Sequence, residues 1–148
     1  MSPKGRQLAR AGTSTTERSA PLRWGPDFNR RISELATLKD GWYDGDGIAF
    51  DPQSLSRLRS VIDEMLTAHD IPAPYLYPTP QGEINAEWTL GDWEVEITFD
   101  RAMAKPTALA TNSRTREKEE IEVALDAASA ASRLGSFVER HRTPGLAS

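Results

Sequence analysis

The side chains whose type and spacing best suit chemistry are three carboxylates, Glu87, Glu94 and Glu96. Glu87 lies within Ile84-Asn85-Ala86-Glu87-Trp88-Thr89-Leu90. The other two lie within Trp93-Glu94-Val95-Glu96-Ile97-Thr98-Phe99. Both stretches alternate apolar with polar residues, and a period of two puts every second side chain on one face of a strand. Gly91-Asp92 between them predicts a two-residue hairpin turn. Folding there sets Leu90 against Trp93, Trp88 against Val95 and Ala86 against Ile97. One face is then wholly apolar, and on the other Glu87 stands opposite Glu96 with Glu94 nearby. Like charges directly opposite each other destabilise a sheet unless something compensates. As a chemical site, such a cluster would hold a metal or share a proton, as in some nucleases and glycosidases. As a binding site, it would meet a basic partner. The bland alternative is a solvated face, the usual fate of a charge run. Metal-assisted hydrolysis calls for a lysine or histidine close by, and Glu94-Val95-Glu96 supplies neither. Binding therefore outranks catalysis, and Glu87, Glu94 and Glu96 are the expected partner-binding residues.

Other candidates are weaker. Asp44-Gly45-Asp46-Gly47 has the oxygen ligands and glycine turns of part of a calcium loop, but no distal glutamate at the required spacing. A structural loop, with glycines at positive φ and Trp42 and Tyr43 anchoring it, fits better. His69 falls in the last turn of a helix, where a cation complements the dipole, and His141 lies near the chain terminus. Neither has a neighbour at metal-ligand spacing, and no serine or threonine sits in a nucleophile motif. With no cysteine in the chain, disulfides and thiolate chemistry are excluded. No catalytic residue, bound metal or cofactor is expected.

The elements that must position these residues follow from pattern. In 148 residues, 38% apolar and 27% charged, there is material for one soluble domain with a modest core. No run approaches the ~18 apolar residues of a membrane span. The N-terminus lacks the apolar core of a secretory signal, so a cytoplasmic location is expected. Residues 1–23 have no apolar period and predict a disordered basic tail. Asp27 is placed to cap a first helix with Phe28, Ile32 and Leu35 on one face, closed by Lys39 and Gly41. Asp51 caps a second, with Pro52 at its first position and a stripe of Leu55, Leu58, Ile62, Met65 and Leu66. A short strand over 73–78, a turn at Thr79-Pro80-Gln81-Gly82, the hairpin above, and strands at Thr107–Asn112 and Glu119–Leu125 come next. Asp126 then caps a last helix with Ala127, Ala131, Leu134 and Val138 inward. The expected fold is α+β: an antiparallel meander of about five strands with two N-terminal helices and one C-terminal helix packed on one face. The domain spans 24–142, with 143–148 disordered.

From Ile32 to Phe99 the chain resembles a scattered set of small uncharacterised proteins of bacteria and mobile elements. The resemblance rests on Leu35-x-x-Leu38-x-x-Gly41-Trp42, a Gly/Asp-rich loop, a proline-capped helix, and Pro78-Thr79-Pro80-x-Gly82-x-Ile84-x-x-Glu87-Trp88. The usual loop reads Gly-Trp-x-Gly-x-Gly, and Tyr43-Asp44 makes this one a residue longer. The resemblance implies a fold and a mobile-element setting, and it brings no activity.

Charge distribution ranks the partners. Residues 1–31 hold seven Lys/Arg against two acids (+5), residues 32–100 three against fourteen (−11), and residues 101–148 eight against six (+2). An acidic body disfavours direct nucleic-acid binding and suits a basic protein surface. The leading expectation is a non-enzymatic interaction protein docking on a larger basic protein or nucleoprotein complex, as anti-CRISPR inhibitors do. A metal-dependent hydrolase on the sheet carboxylates is second, and a nucleic-acid-binding accessory protein using the basic ends is third. A second subunit covering the polar face would make a homodimer.

Overall fold

The computed structural model describes residues 25–147, with side chains from 28 to 142. The expected tail over 1–23 lies outside these residues. Helix α1 runs Gly25–Ala36. It begins before Asp27, so the expected cap falls within its first turn. Phe28 and Leu35 are buried and Ile32 partly so, as the i, i+4, i+7 spacing predicts. The helix stops short of Lys39 because its end tightens into i→i−3 bonds: Thr37 N donates to Glu34 O and Leu38 N to Leu35 O.

Helix α2, Pro52–Ala68, forms as its sequence dictates. Asp51 accepts from the Ser54 amide, and Pro52 occupies the first turn, where no partner for its nitrogen is needed. Leu55, Leu58, Ile62, Met65 and Leu66 are all buried.

Five antiparallel strands follow in sequential order: β1 (Tyr75–Pro78), β2 (Ile84–Leu90), β3 (Trp93–Phe99), β4 (Thr107–Asn112) and β5 (Lys118–Glu122). The hairpin register is the one the alternation predicts, with Leu90 paired to Trp93, Trp88 to Val95, Ala86 to Ile97 and Glu87 to Glu96. The β1–β2 turn is closed by Gly82 N donating to Thr79 O, and Gly82 has φ +92. Strand β5 ends at Glu122 rather than Leu125, although the Val123 and Leu125 amides still bond to Pro106 O and Ala104 O.

Helix α3, Ala130–Ala147, starts three residues later than an Asp126 cap requires. Residues 124–130 instead make successive tight turns, with Ala127 N on Ala124 O and Ala130 N on Ala127 O, and Ala127 is exposed. The expected domain boundary at 142 falls inside this helix.

All the buried sheet side chains point one way, toward the helices. Leu76, Ile84, Ala86, Trp88, Val95, Ile97, Phe99, Ala108 and Ala110 join the helix stripes in one core. Trp88, 3% exposed, anchors it and donates its indole N–H to Pro72 O at 2.7 Å. Trp93 is on the same face but half-buried, beside the end of α3. The fold is α+β, with the described helices on one face of the sheet. Among the described residues no helix is long and apolar enough to cross a membrane.

Candidate partner-binding face

Because residues paired directly across an antiparallel sheet share a face, the register lays out the helix-free side row by row. The central row is Tyr75, Glu87, Glu96, Leu109 and Glu120. One flanking row is Tyr77, Asn85, Thr98, Thr107 and Glu122, and the other is Thr89, Glu94, Thr111 and Lys118. The structure thus puts Glu87, Glu94 and Glu96 together on one face, with Glu87 and Glu96 directly opposed. Two further carboxylates, Glu120 and Glu122, join them from β5. Against these five the described face has one lysine, Lys118, two strands from Glu94 and about 9–10 Å away along the sheet. Thr89 Oγ1 donates to Glu94 Oε1 at 3.2 Å, holding that carboxylate over the β2–β3 hairpin.

The β1 side of the face is aromatic. Tyr75 is 52% exposed, and its ring stacks on Tyr77 with centroids 6.5 Å apart and planes 23° from parallel. Asn85 is next to Tyr77 in its row. Its Oδ1 is buried and has no hydrogen-bond partner among the described residues. A face of stacked phenol rings and carboxylates is chemically matched to guanidinium or ammonium groups. Rings offer a negative π-surface, carboxylates accept charge-assisted bonds, and Arg donors fit both geometries.

The other candidate residues are built into the fold. Asp40 Oδ1 accepts from Ala49 N at 2.9 Å, and within the loop Gly41 N bonds to Gly47 O and Tyr43 N to Asp46 O. Trp42 donates to Ile48 O, and its indole lies so close to Gly47 that an added Cβ would be 2.8 Å from Nε1. The loop is thus a hydrogen-bonded turn packed on an aromatic ring. His69 Nδ1 lies 3.0 Å from Glu139 Oε1 and links the end of α2 to α3.

His141 is more deeply embedded than its position near the terminus suggests. It is 5% exposed, donates Nδ1–H to Phe137 O, and places Nε2 2.9 Å from Glu119 Oε1. Trp93 and Phe137 flank its ring at centroid distances of 4.6 and 4.8 Å. Arg140 holds the other Glu119 oxygen. This node pins edge strand β5 to α3. The cleft lined by Phe50, Ile84, Phe99, Met103 and Arg101 has two acids, both engaged by backbone: Asp51 by Ser54 N, Asp100 by Ala104 N and Lys105 N. Among the described residues no group of three His, Cys, Asp or Glu side chains is arranged to hold a metal ion.

Sequence reasoning missed Tyr75, Tyr77, Glu120 and Glu122 as parts of this face. The signal for Glu120 and Glu122 was the period-two alternation in β5, readable only once the β4–β5 register was known. Compared with protein-family models, with curated proteins and with solved structures, the chain matches none.

Proposed function

We propose that this chain is a non-enzymatic binding protein that docks the helix-free face of its sheet on a basic surface of a larger protein or nucleoprotein complex. One observation carries the reading: five carboxylates share a single sheet face, and two of them, Glu87 and Glu96, are directly opposed. Like charges placed directly opposite each other repel across a sheet. A positive partner surface is attracted to a face of carboxylates and meets it faster. The exposed Tyr75 beside these acids supports the same reading, as aromatic residues are enriched in interface cores.

An inhibitor that occupies the nucleic-acid-binding surface of its target, in the manner of anti-CRISPR proteins, is the concrete form. The mobile-element setting implied by the resemblance over Ile32–Phe99 is consistent with it, and the absence of cysteine suits work in the cytoplasm. The test is affinity capture from the native host with the native chain and with Glu94→Gln/Glu96→Gln side by side. A large partner retained stoichiometrically by the first and lost by the second supports the proposal. Metal-dependent hydrolysis by the native chain, lost in the same variant, would replace it with an enzymatic role.

A further inference from the structure

The sequence holds a basic segment of its own that matches this face. Residues 1–23 contain Lys4, Arg6, Arg10, Arg18 and Arg23 against a single acid, Glu17, a net +4. The face presents Glu87, Glu94, Glu96, Glu120 and Glu122 against Lys118, a net −4. Attachment also favours contact. The segment joins the fold at α1, whose Arg31 Nε donates to Leu76 O of β1 at 2.9 Å. From Arg31 back to Gly25 is six residues, about 9 Å of helix. The described chain therefore begins within about 9 Å of helix from a contact with the strand that carries Tyr75 and Tyr77. The sheet is about 19 Å from β1 to β5 at the usual strand spacing, and 24 residues reach up to ~80 Å when extended. Fewer than half of them span the face.

We infer that the basic N-terminal segment lies across the acidic sheet face of its own chain and competes there with the partner, so that the face is self-occupied until a more basic surface displaces it. Its arginines meet the stacked Tyr75–Tyr77 rings and the carboxylates of the central row, and a guanidinium N–H supplies the donor that Asn85 Oδ1 lacks among the described residues. Tethering raises the effective concentration of the segment to the millimolar range, so weak individual contacts suffice. A partner must therefore exceed the segment in charge or in contact area, which makes the segment a filter against weakly basic surfaces. This inference rests on the proposed role of the face, which it deepens into a form of regulation.

The experiment uses the full chain. It has no cysteine, so Ser14→Cys accepts a single nitroxide label, and paramagnetic broadening of backbone amide signals maps where the segment spends its time. The expected result is broadening concentrated on Glu87, Thr89, Glu94 and Glu96 at low salt. It should vanish near 1 M salt, where the Debye length is about 3 Å, and in Glu94→Lys/Glu96→Lys. Broadening that is uniform, or centred on the helices, overturns the inference. So does equal broadening of isotopically marked, unlabelled chains mixed with labelled ones, which would make the occupant a second copy.

A hexa-arginine peptide added to the same sample separates this inference from the reading beneath it. Release of the broadening with shifts on the same amides supports both. Face shifts with no broadening beforehand sink the self-occupancy and leave the binding role standing. Broadening that the peptide never relieves keeps the self-contact and removes the competition.

Discussion

Gly135, inside α3, is the position where packing and helix propensity make opposite predictions. A Cβ built on it would come 2.2 Å from His69 Cδ2, 2.8 Å from Nε2 and 2.9 Å from Cγ. These are backbone-to-ring approaches that no small rotation clears, because the His69 ring is held by Glu139 at 3.0 Å. Gly135→Ala must therefore move the ring out of its contact or part α2 from α3. Overpacking of this kind costs about 1–3 kcal/mol. Against it stands the gain from replacing glycine by alanine within a helix, about 0.8–1 kcal/mol. The balance is a net loss of up to roughly 2 kcal/mol, a fall in Tm of up to about 8 °C for a domain of this size. Denaturant unfolding of the full chain, with an unchanged slope and a lowered midpoint, measures it. The cause is isolated by a cycle with His69→Ala, in whose background Gly135→Ala should be neutral or stabilising by up to ~1 kcal/mol. A higher midpoint for Gly135→Ala in the native background would refute the packing of His69 against α3.

Three further outcomes are expected. Trp88→Ala should cost about 3–5 kcal/mol, a large part of a typical domain's stability, by emptying the core and stranding the Pro72 carbonyl, whereas Trp88→Phe should cost about 1–2 kcal/mol; urea unfolding separates them. Asp51→Ala removes the acceptor for Ser54 N and should destabilise by about 1 kcal/mol, read as a lowered melting temperature with the near-ultraviolet spectrum intact. Glu96→Gln removes one of five like charges from the face and should change stability by no more than about 0.5 kcal/mol at low salt, and a larger loss would show that the carboxylate supports the fold.

How much was legible in the sequence depends on how local the deciding interactions are. The β2–β3 register was readable because a two-residue turn leaves one pairing, and a shift by one residue would have turned Trp88 and Ile97 to solvent. Helix α2 was readable for a similar reason: its cap, its proline and its stripe all agree. The start of α3 was not. Asp126 is a good capping residue by type, but the chain from 124 to 130 turns twice on its own backbone before the helix begins. The burial of His141 had a signal, since it continues the Leu134, Val138 stripe at the next helical position. The partners that decide its setting, Glu119 and Trp93, come from strands 22 and 48 residues away in sequence, and only the assembled sheet brings them together. The same holds for the acidic face. Three of its carboxylates follow from one hairpin, while Glu120, Glu122 and the stacked tyrosines come from strands whose register the sequence leaves open.

The central claim is that carboxylates on the helix-free face bind a basic partner. It is tested most directly by calorimetric titration of the captured partner into the native chain and into Glu94→Gln/Glu96→Gln, at low and at high salt. Loss of two charges from the face should weaken binding about tenfold or more at ~0.05 M salt, which is ~1.4 kcal/mol, with the difference shrinking as salt screens the contact. Equal affinities for the two chains at low salt, with both folded, would contradict the account and move the binding surface off this face.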